Sequence, residues 1–328
     1  MMYPFKFTPI LKPVIWGGDA ICRFKGIAPV RDGIGESWEI SHVKGNVSIV
    51  SNGISAGQSL EELIDLYGAD ILGTTVLEKF GTTFPLLIKF IDARDDLSIQ
   101  VHPNDELAKQ RHHSFGKTEM WYVIHASENA SLYSGFKDAI TPEKYIESVE
   151  NNTFADKLRE YRVQAGDVFF LPAGRVHAIR AGCFIAEIQQ TSDITYRIYD
   201  YNRKDAQGRG RELHTEAAKD AIDYRVDPEG YKTGYTLRKN AAVSLVSCPY
   251  FTTRLIDGDQ TLLRDFSTVD SFVIYICLEG KIVLKDANDY AVDLKQGESL
   301  LVPAAVKNAI TLSPTEGGYK LVETFVGN

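Results

Sequence analysis

Short apolar runs broken by glycine and proline recur along the chain and predict strands. The segments 4–7, 14–18, 36–41 and 46–50 open the series. Phe84 to Ile91 is almost continuously apolar, as expected of a strand buried on both faces, and Lys89 is its one charge. Ser98-Ile99-Gln100-Val101-His102-Pro103 alternates instead. Successive strand side chains point to opposite faces, so Ile99 and Val101 share one face while Ser98, Gln100 and His102 share the other. Three polar groups on one face need water at a sheet edge or a partner such as a metal inside. Phe184 to Gln190 alternates too, with Ile185, Glu187 and Gln189 together.

Helical spacing interrupts this pattern. Ser59 followed by Glu62 reads as a capping box, and Leu60, Leu63, Ile64 and Leu66 predict a helix running to Tyr67 and ending at Gly68. A shorter helix is expected around Thr75–Lys79. Asn104 caps one from Asp105 to about Arg111. Thr141 with Pro142 at the first helical position predicts a helical stretch over 141–161. Residues 203–235 are charged and loop-rich, with one helix from Thr215, read as its cap, to about Asp223. From 240 to the end the pattern is again that of strands.

With 328 residues there is room for two domains, and 44% hydrophobic with 24% charged residues describes a globular protein with a substantial core. The net charge of −8 argues against a nucleic-acid partner. Cys22, Cys183, Cys248 and Cys277 form no paired motif, which fits reduced thiols in the cytoplasm. No leader peptide and no membrane-spanning run are expected.

The stretch 296–310 repeats the stretch 165–179. Gly297 falls on Gly166, Glu298 on Asp167 and Pro303 on Pro172, and Asn308 stands where the first copy has His177. A glycine followed by an acid, with proline six residues after the glycine, resembles the second motif of cupins, which are double-sheet jelly rolls. The expected fold is therefore mainly β: two cupin (jelly-roll) domains with a small helical insertion. The first, 1–235, carries the helical segments (about 56–80 and 141–161) and the connection 203–235; the second, 236–328, lacks the metal site. Gln100, His102, Glu119 and His177 make a nitrogen–oxygen donor set that suits Zn²⁺ and does not exclude Mn²⁺, Fe²⁺ or Co²⁺.

The runs Leu97–Pro103, Lys117-Thr118-Glu119, Pro172–Ala178 and Ser192–Arg203, with Glu187 and the strand bearing Lys89, resemble the type I mannose-6-phosphate isomerases in their short bacterial form. That resemblance implies a zinc-dependent interconversion of mannose 6-phosphate and fructose 6-phosphate through an enediol. It makes Gln100, His102, Glu119 and His177 the ligands of one zinc ion per chain, and Arg197 the active-site arginine. Lys117 and Glu187 become catalytic-pocket residues, Glu187 either moving the proton or orienting its neighbours. Arg203 falls where longer relatives carry a lysine. Lys89 and Arg203 are candidates for the phosphate, Ser98 for the substrate, and Trp16 for a sugar face. The implied partner is a small sugar phosphate, and the chain is expected as a monomer or homodimer. Two rivals share the fold: a metal-dependent oxygenase, against which Gln100 counts, and a sugar-binding cupin without turnover.

Overall fold

The structure, a computed structural model, describes residues 2–204 and 207–327. It is mainly β. A seven-stranded antiparallel sheet runs in the order Ile10–Gly18, Ile34–Ile40, Leu86–Ala93, Cys183–Gln190, Glu119–Ala126, Val168–Leu171, Lys232–Thr233. A five-stranded sheet is ordered Tyr196–Tyr199, Ile99–Val101, His177–Ile179, Ser131–Phe136, Leu158–Arg162. Ile91, Trp121, Val123 and Ile185 from the first pack against Leu132 and Ile179 from the second. This dry cluster closes one end of the sandwich.

Alternation decides what faces what. Ile88, Phe90, Ala186 and Ile188 point away from the sandwich into a core shared with the helices Leu60–Tyr67, Ala69–Leu72 and Thr74–Phe80. Ile99 and Val101 likewise point outward, onto Tyr145 of helix Pro142–Glu150 and Ala218 of helix Thr215–Ala221. Lys89, Gln100, Glu119, His177 and Glu187 are thereby left facing the interior.

The local signals work as physics suggests. Ser59 and Glu62 form a reciprocal capping box, and Asn104 and Thr141 cap their helices. Such a cap contributes about 1 kcal/mol. Two expectations need correction. The stretch 141–161 is helical only to Glu150, followed by one 3₁₀ turn at Phe154–Lys157, because Leu158–Arg162 pairs with Ser131–Phe136 as an edge strand. Its alternation of half-buried and exposed residues is that of a strand, which the run of charges concealed. The helix expected to be capped by Thr215 is preceded by His214, which makes no side-chain cap. Within the connection 203–235, Lys232–Thr233 joins the seven-stranded sheet, and residues 205 and 206 lie outside the described residues.

A second pair of sheets follows. One is ordered Ala241–Ser247, Thr252–Gly258, Tyr319–Phe325, Val273–Glu279, Ser299–Val302; the other Leu262–Asp265, Ala309–Pro314, Lys281–Lys285, Ala291–Lys295. Among the described named strands, no ladder crosses from one pair of sheets to the other. On that division we propose two units, 1–235 and 236–328. They are firmly joined: Phe5 bridges to Leu301, Asp270 accepts from Thr74 and Thr75, and buried Lys25 pairs with Glu39 while donating to the carbonyl of Gly297.

The repeat is visible in the backbone. Gly166 N–H donates to Val123 O and Val123 N–H to Asp167 O; Gly297 and Cys277 make the same exchange, with Glu298 in place of Asp167. Both glycines hold positive φ, 91° and 79°, which glycine adopts without steric cost. Each acid then accepts a backbone N–H three residues before it, from Gln164 and Lys295 respectively.

Candidate active site

The wet end of the first sandwich holds a cavity of about 330 Å³. Trp16, Lys89, Ser98, Gln100, Lys117, Glu187 and Arg197 line it, all of them residues singled out from the sequence. Glu36, Trp38, Asp193, Thr195 and Arg211 line it as well. Asp193 and Thr195 fall within the family-like run Ser192–Arg203, and Trp38 within the strand-like segment 36–41. Glu36 and Arg211 sit on separate segments that only the fold brings near Lys89 and Arg197. Arg203 is not among the lining residues; it is tied to Asp200 and to the carbonyl of Asp96.

His102, Glu119 and His177 converge at the floor, their ligand atoms all within 4.8 Å of one another. Each comes from a different strand or strand end, placed by register: His177 lies opposite Gln100, and Glu119 opposite Leu171 and Gln189. His102 Nδ1 lies 2.9 Å from Ile194 O and His177 Nδ1 2.8 Å from Arg175 O. Those carbonyls fix the proton on Nδ1 and leave Nε2 of each ring as a bare acceptor. The two Nε2 atoms approach Glu119 at 3.5 and 3.2 Å. Burial, then the charge of Lys117, push both imidazoles down, His177 to about 3, so both are neutral.

Glu119 is fully buried, and neither oxygen has an aligned hydrogen-bond partner. Lys117 Nζ lies 2.8 Å from Oε2 and 2.9 Å from His102 Nε2. An ammonium thus rests against the same lone pairs that a metal would use. Gln100 Nε2 stands 3.4 Å from His177 Nε2, and turning the amide over would aim its oxygen at the cluster. Two neutral imidazoles, a carboxylate without hydrogen bonds and an amide fit a divalent metal.

Beside the floor stands Glu187. Its Oε2 accepts from Trp121 Nε1 at 2.8 Å, while Oε1 has no hydrogen-bond partner and lies 3.5 Å from Lys89 Nζ. Burial, then repulsion from Glu119, raise its affinity for a proton in spite of Lys117 and Lys89. Lys89 also faces Glu36 at 3.6 Å and the ring of Trp38 at 4.8 Å. Burial opposes its charge, but the two carboxylates outweigh burial and hold it protonated. The same burial pushes Glu36 up, and Lys89 with the Trp38 N–H brings it below the usual range. The wall bearing Trp16 depends on Gly35, where a Cβ would fall 2.5 Å from the indole.

Residues 5–118 match the family model of the phosphomannose isomerase type I catalytic domain. The mannose-6-phosphate isomerase ManA of Bacillus subtilis is 35% identical over 304 residues, covering 92% of this chain and 93% of that protein. The chain belongs to the type I phosphomannose isomerases. The mannose-6-phosphate isomerase of Streptococcus mutans is 34% identical over 294 residues, covering 90% of each chain. The crystal structure of the Bacillus subtilis mannose 6-phosphate isomerase superposes with a TM-score of 0.86 at 32% identity, covering 98% of this chain and 99% of that one. No helix among the described residues is long and apolar enough to cross a membrane.

Proposed function

We propose that this chain interconverts mannose 6-phosphate and fructose 6-phosphate with one zinc ion held by Gln100, His102, Glu119 and His177. The observation that carries the reading is the buried cluster of Glu119 with the two unprotonated Nε2 atoms of His102 and His177, whose lone pairs meet the Lys117 ammonium and the Gln100 amide at the floor of a polar cavity. Zinc, when bound, supplies a Lewis acid at the sugar oxygens that carry developing charge.

The rest of the chemistry belongs to side chains. Aldose–ketose isomerisation moves a proton between adjacent carbons and needs a base, a counter-charge for the oxyanion and an anchor for the phosphate. Glu187, which lines the cavity with its buried Oε1 free of hydrogen bonds and its proton affinity raised, takes the proton and returns it. Lys117 is the ammonium nearest the floor and, were Glu119 and His102 to hold a metal, would be left to serve the sugar oxygens. Arg197 presents an always-charged fork. Ser98 lies on the same strand face as Gln100, two residues further from His102, and meets the phosphate end. Trp16 offers a flat apolar wall to the ring. Four free cysteines support a reducing cytoplasm.

An assay with mannose 6-phosphate, before and after chelation, tests this. The expected result is isomerisation that chelation abolishes and zinc restores. Isomerisation indifferent to complete metal removal would defeat the zinc assignment, and no turnover in zinc-loaded protein would defeat the reaction.

A further inference from the structure

We propose that Arg211 is the phosphate partner of Arg197, and that Asp200 and Arg203 hold Arg211 in place. This rests on the sugar-phosphate reading above and assigns the far end of that site.

The segment that carries Arg211 is docked by main-chain contacts. His214 N–H donates to Arg197 O, Arg197 N–H donates to His214 Nδ1, and Arg197 Nη1 donates to Glu212 O at 2.9 Å. These bonds lay residues 211–214 alongside the strand Tyr196–Tyr199, so both arginines reach the cavity lining. Arg197 is pushed down by burial and then by the charge of Arg211, its largest electrostatic neighbour. Two guanidiniums pressed into one cavity call for an anion between them.

Both keep donors for it. Arg197 Nε is buried without a hydrogen-bond partner. Arg211 grips Asp200 through Nε and Nη2, with Nε at 2.7 Å from Oδ2, and Nη1 stands outside that pair. Asp200 is buried, and the hydrogen bonds from Arg211 and Arg203 outweigh burial to keep it ionised. Arg197, Arg203 and Arg211 outnumber the carboxylates Asp200 and Glu212 around them and leave this end positive, which suits a phosphate monoester of about −2 at neutral pH.

Position agrees with charge. Arg197 lies opposite Gln100 in the sheet, and Arg203 donates to the carbonyl of Asp96, two residues before Ser98. Arg203 and the Asp200-bound Arg211 therefore stand at the Ser98 end, away from His102, with Arg197 level with Gln100. A sugar whose first two carbons sit over the floor points its sixth carbon, and the phosphate, in that direction. Lys89 is poorly placed to supply this charge, since Glu36 and Glu187 already flank it. Arg203 has its guanidinium committed to Asp200 and Asp96 and lies over the Tyr201 ring, so it acts through Asp200.

Steady-state kinetics on zinc-loaded wild type, Arg211→Ala, Arg211→Lys and Arg203→Ala test this, with inorganic phosphate as competing inhibitor. In Arg211→Ala, KM for mannose 6-phosphate and the inhibition constant of inorganic phosphate should each rise at least about tenfold. Zinc content should not change. Arg211→Lys keeps the cation if the alanine variant folds poorly, and should show a smaller rise in the same two constants. Arg203→Ala should raise KM with kcat retained, as loss of positioning requires. Unchanged KM and phosphate inhibition in Arg211→Ala, with both lost in Arg203→Ala, would overturn the assignment. If the wild type turned over no mannose 6-phosphate, the reaction would fall, and calorimetry of inorganic phosphate on wild type against Arg211→Ala would still decide whether the arginine pair is an anion site.

Discussion

The two halves build the same carboxylate and put it to different use. In the first, Glu187 lies opposite Trp121 on one neighbouring strand and Lys89 on the other. In the second, Glu323 lies opposite Tyr275 and Arg254. The register of Phe169 with Trp121 and of Leu300 with Tyr275 makes these positions equivalent. Each carboxylate accepts from its aromatic neighbour, at 2.8 Å from Trp121 and 3.0 Å from Tyr275, and each has its cation at 3.5 Å.

The difference is what covers the second oxygen. Arg264 reaches Glu323 with two bonds of 2.8 Å and closes it. Counting from the pairing of His177 with Gln100 and of Phe266 N–H with Asn308 O, Arg264 is the counterpart of Ser98, and Phe266 that of Gln100. By the same register Val273 stands where Glu119 does. Asn308, aligned with His177, is exposed. Small and polar side chains in the first half leave a cavity floored by His102, Glu119 and His177, a group that could hold a metal. An arginine, a phenylalanine and a valine in the second make a sealed ion pair and a core. One scaffold thus becomes a site where a buried carboxylate is left incompletely satisfied, and a structural unit where it is satisfied in full.

Exchanging the distinguishing residues tests that contrast. Ser98→Arg, which writes the second half's residue into the first, should close Glu187 and fill the cavity. The expected result is a loss of about three orders of magnitude in kcat/KM with zinc content retained. The reverse change, Arg264→Ser, should leave Glu323 buried with only Arg254 and Tyr275. Urea unfolding should show a loss of about 3 kcal/mol, while kcat per folded molecule stays the same. Asn308→His should do least: stability within about 0.5 kcal/mol, as for surface changes in general, and still one zinc per chain, because Val273 and Phe266 supply no further ligands.

Much of this contrast was legible in the chain. The glycine–acid–proline spacing gave the repeat, and His177 against Asn308 marked which copy holds the buried His–Glu–His cluster. Strand alternation sorted Ile99 and Val101 from Gln100 and His102, and the caps at Ser59, Asn104 and Thr141 follow from local hydrogen bonding. What escaped depends on contacts between distant segments. Glu36 gains its setting only when its strand lies beside Lys89. Arg203 turns from the cavity because Asp200 and Asp96 claim it, leaving Arg211 to line the wall. The edge strand 158–162 was hidden because its pattern is set by pairing with Ser131–Phe136 and not by its own charged composition.

Glu187 as the proton-moving carboxylate is tested most directly by kcat of zinc-loaded Glu187→Gln. Glutamine keeps the shape and the acceptor for Trp121 but cannot take a proton. The predicted result is a fall in kcat of about 10³-fold, with thermal stability and zinc content preserved. A variant that turns over mannose 6-phosphate at the wild-type rate would contradict it.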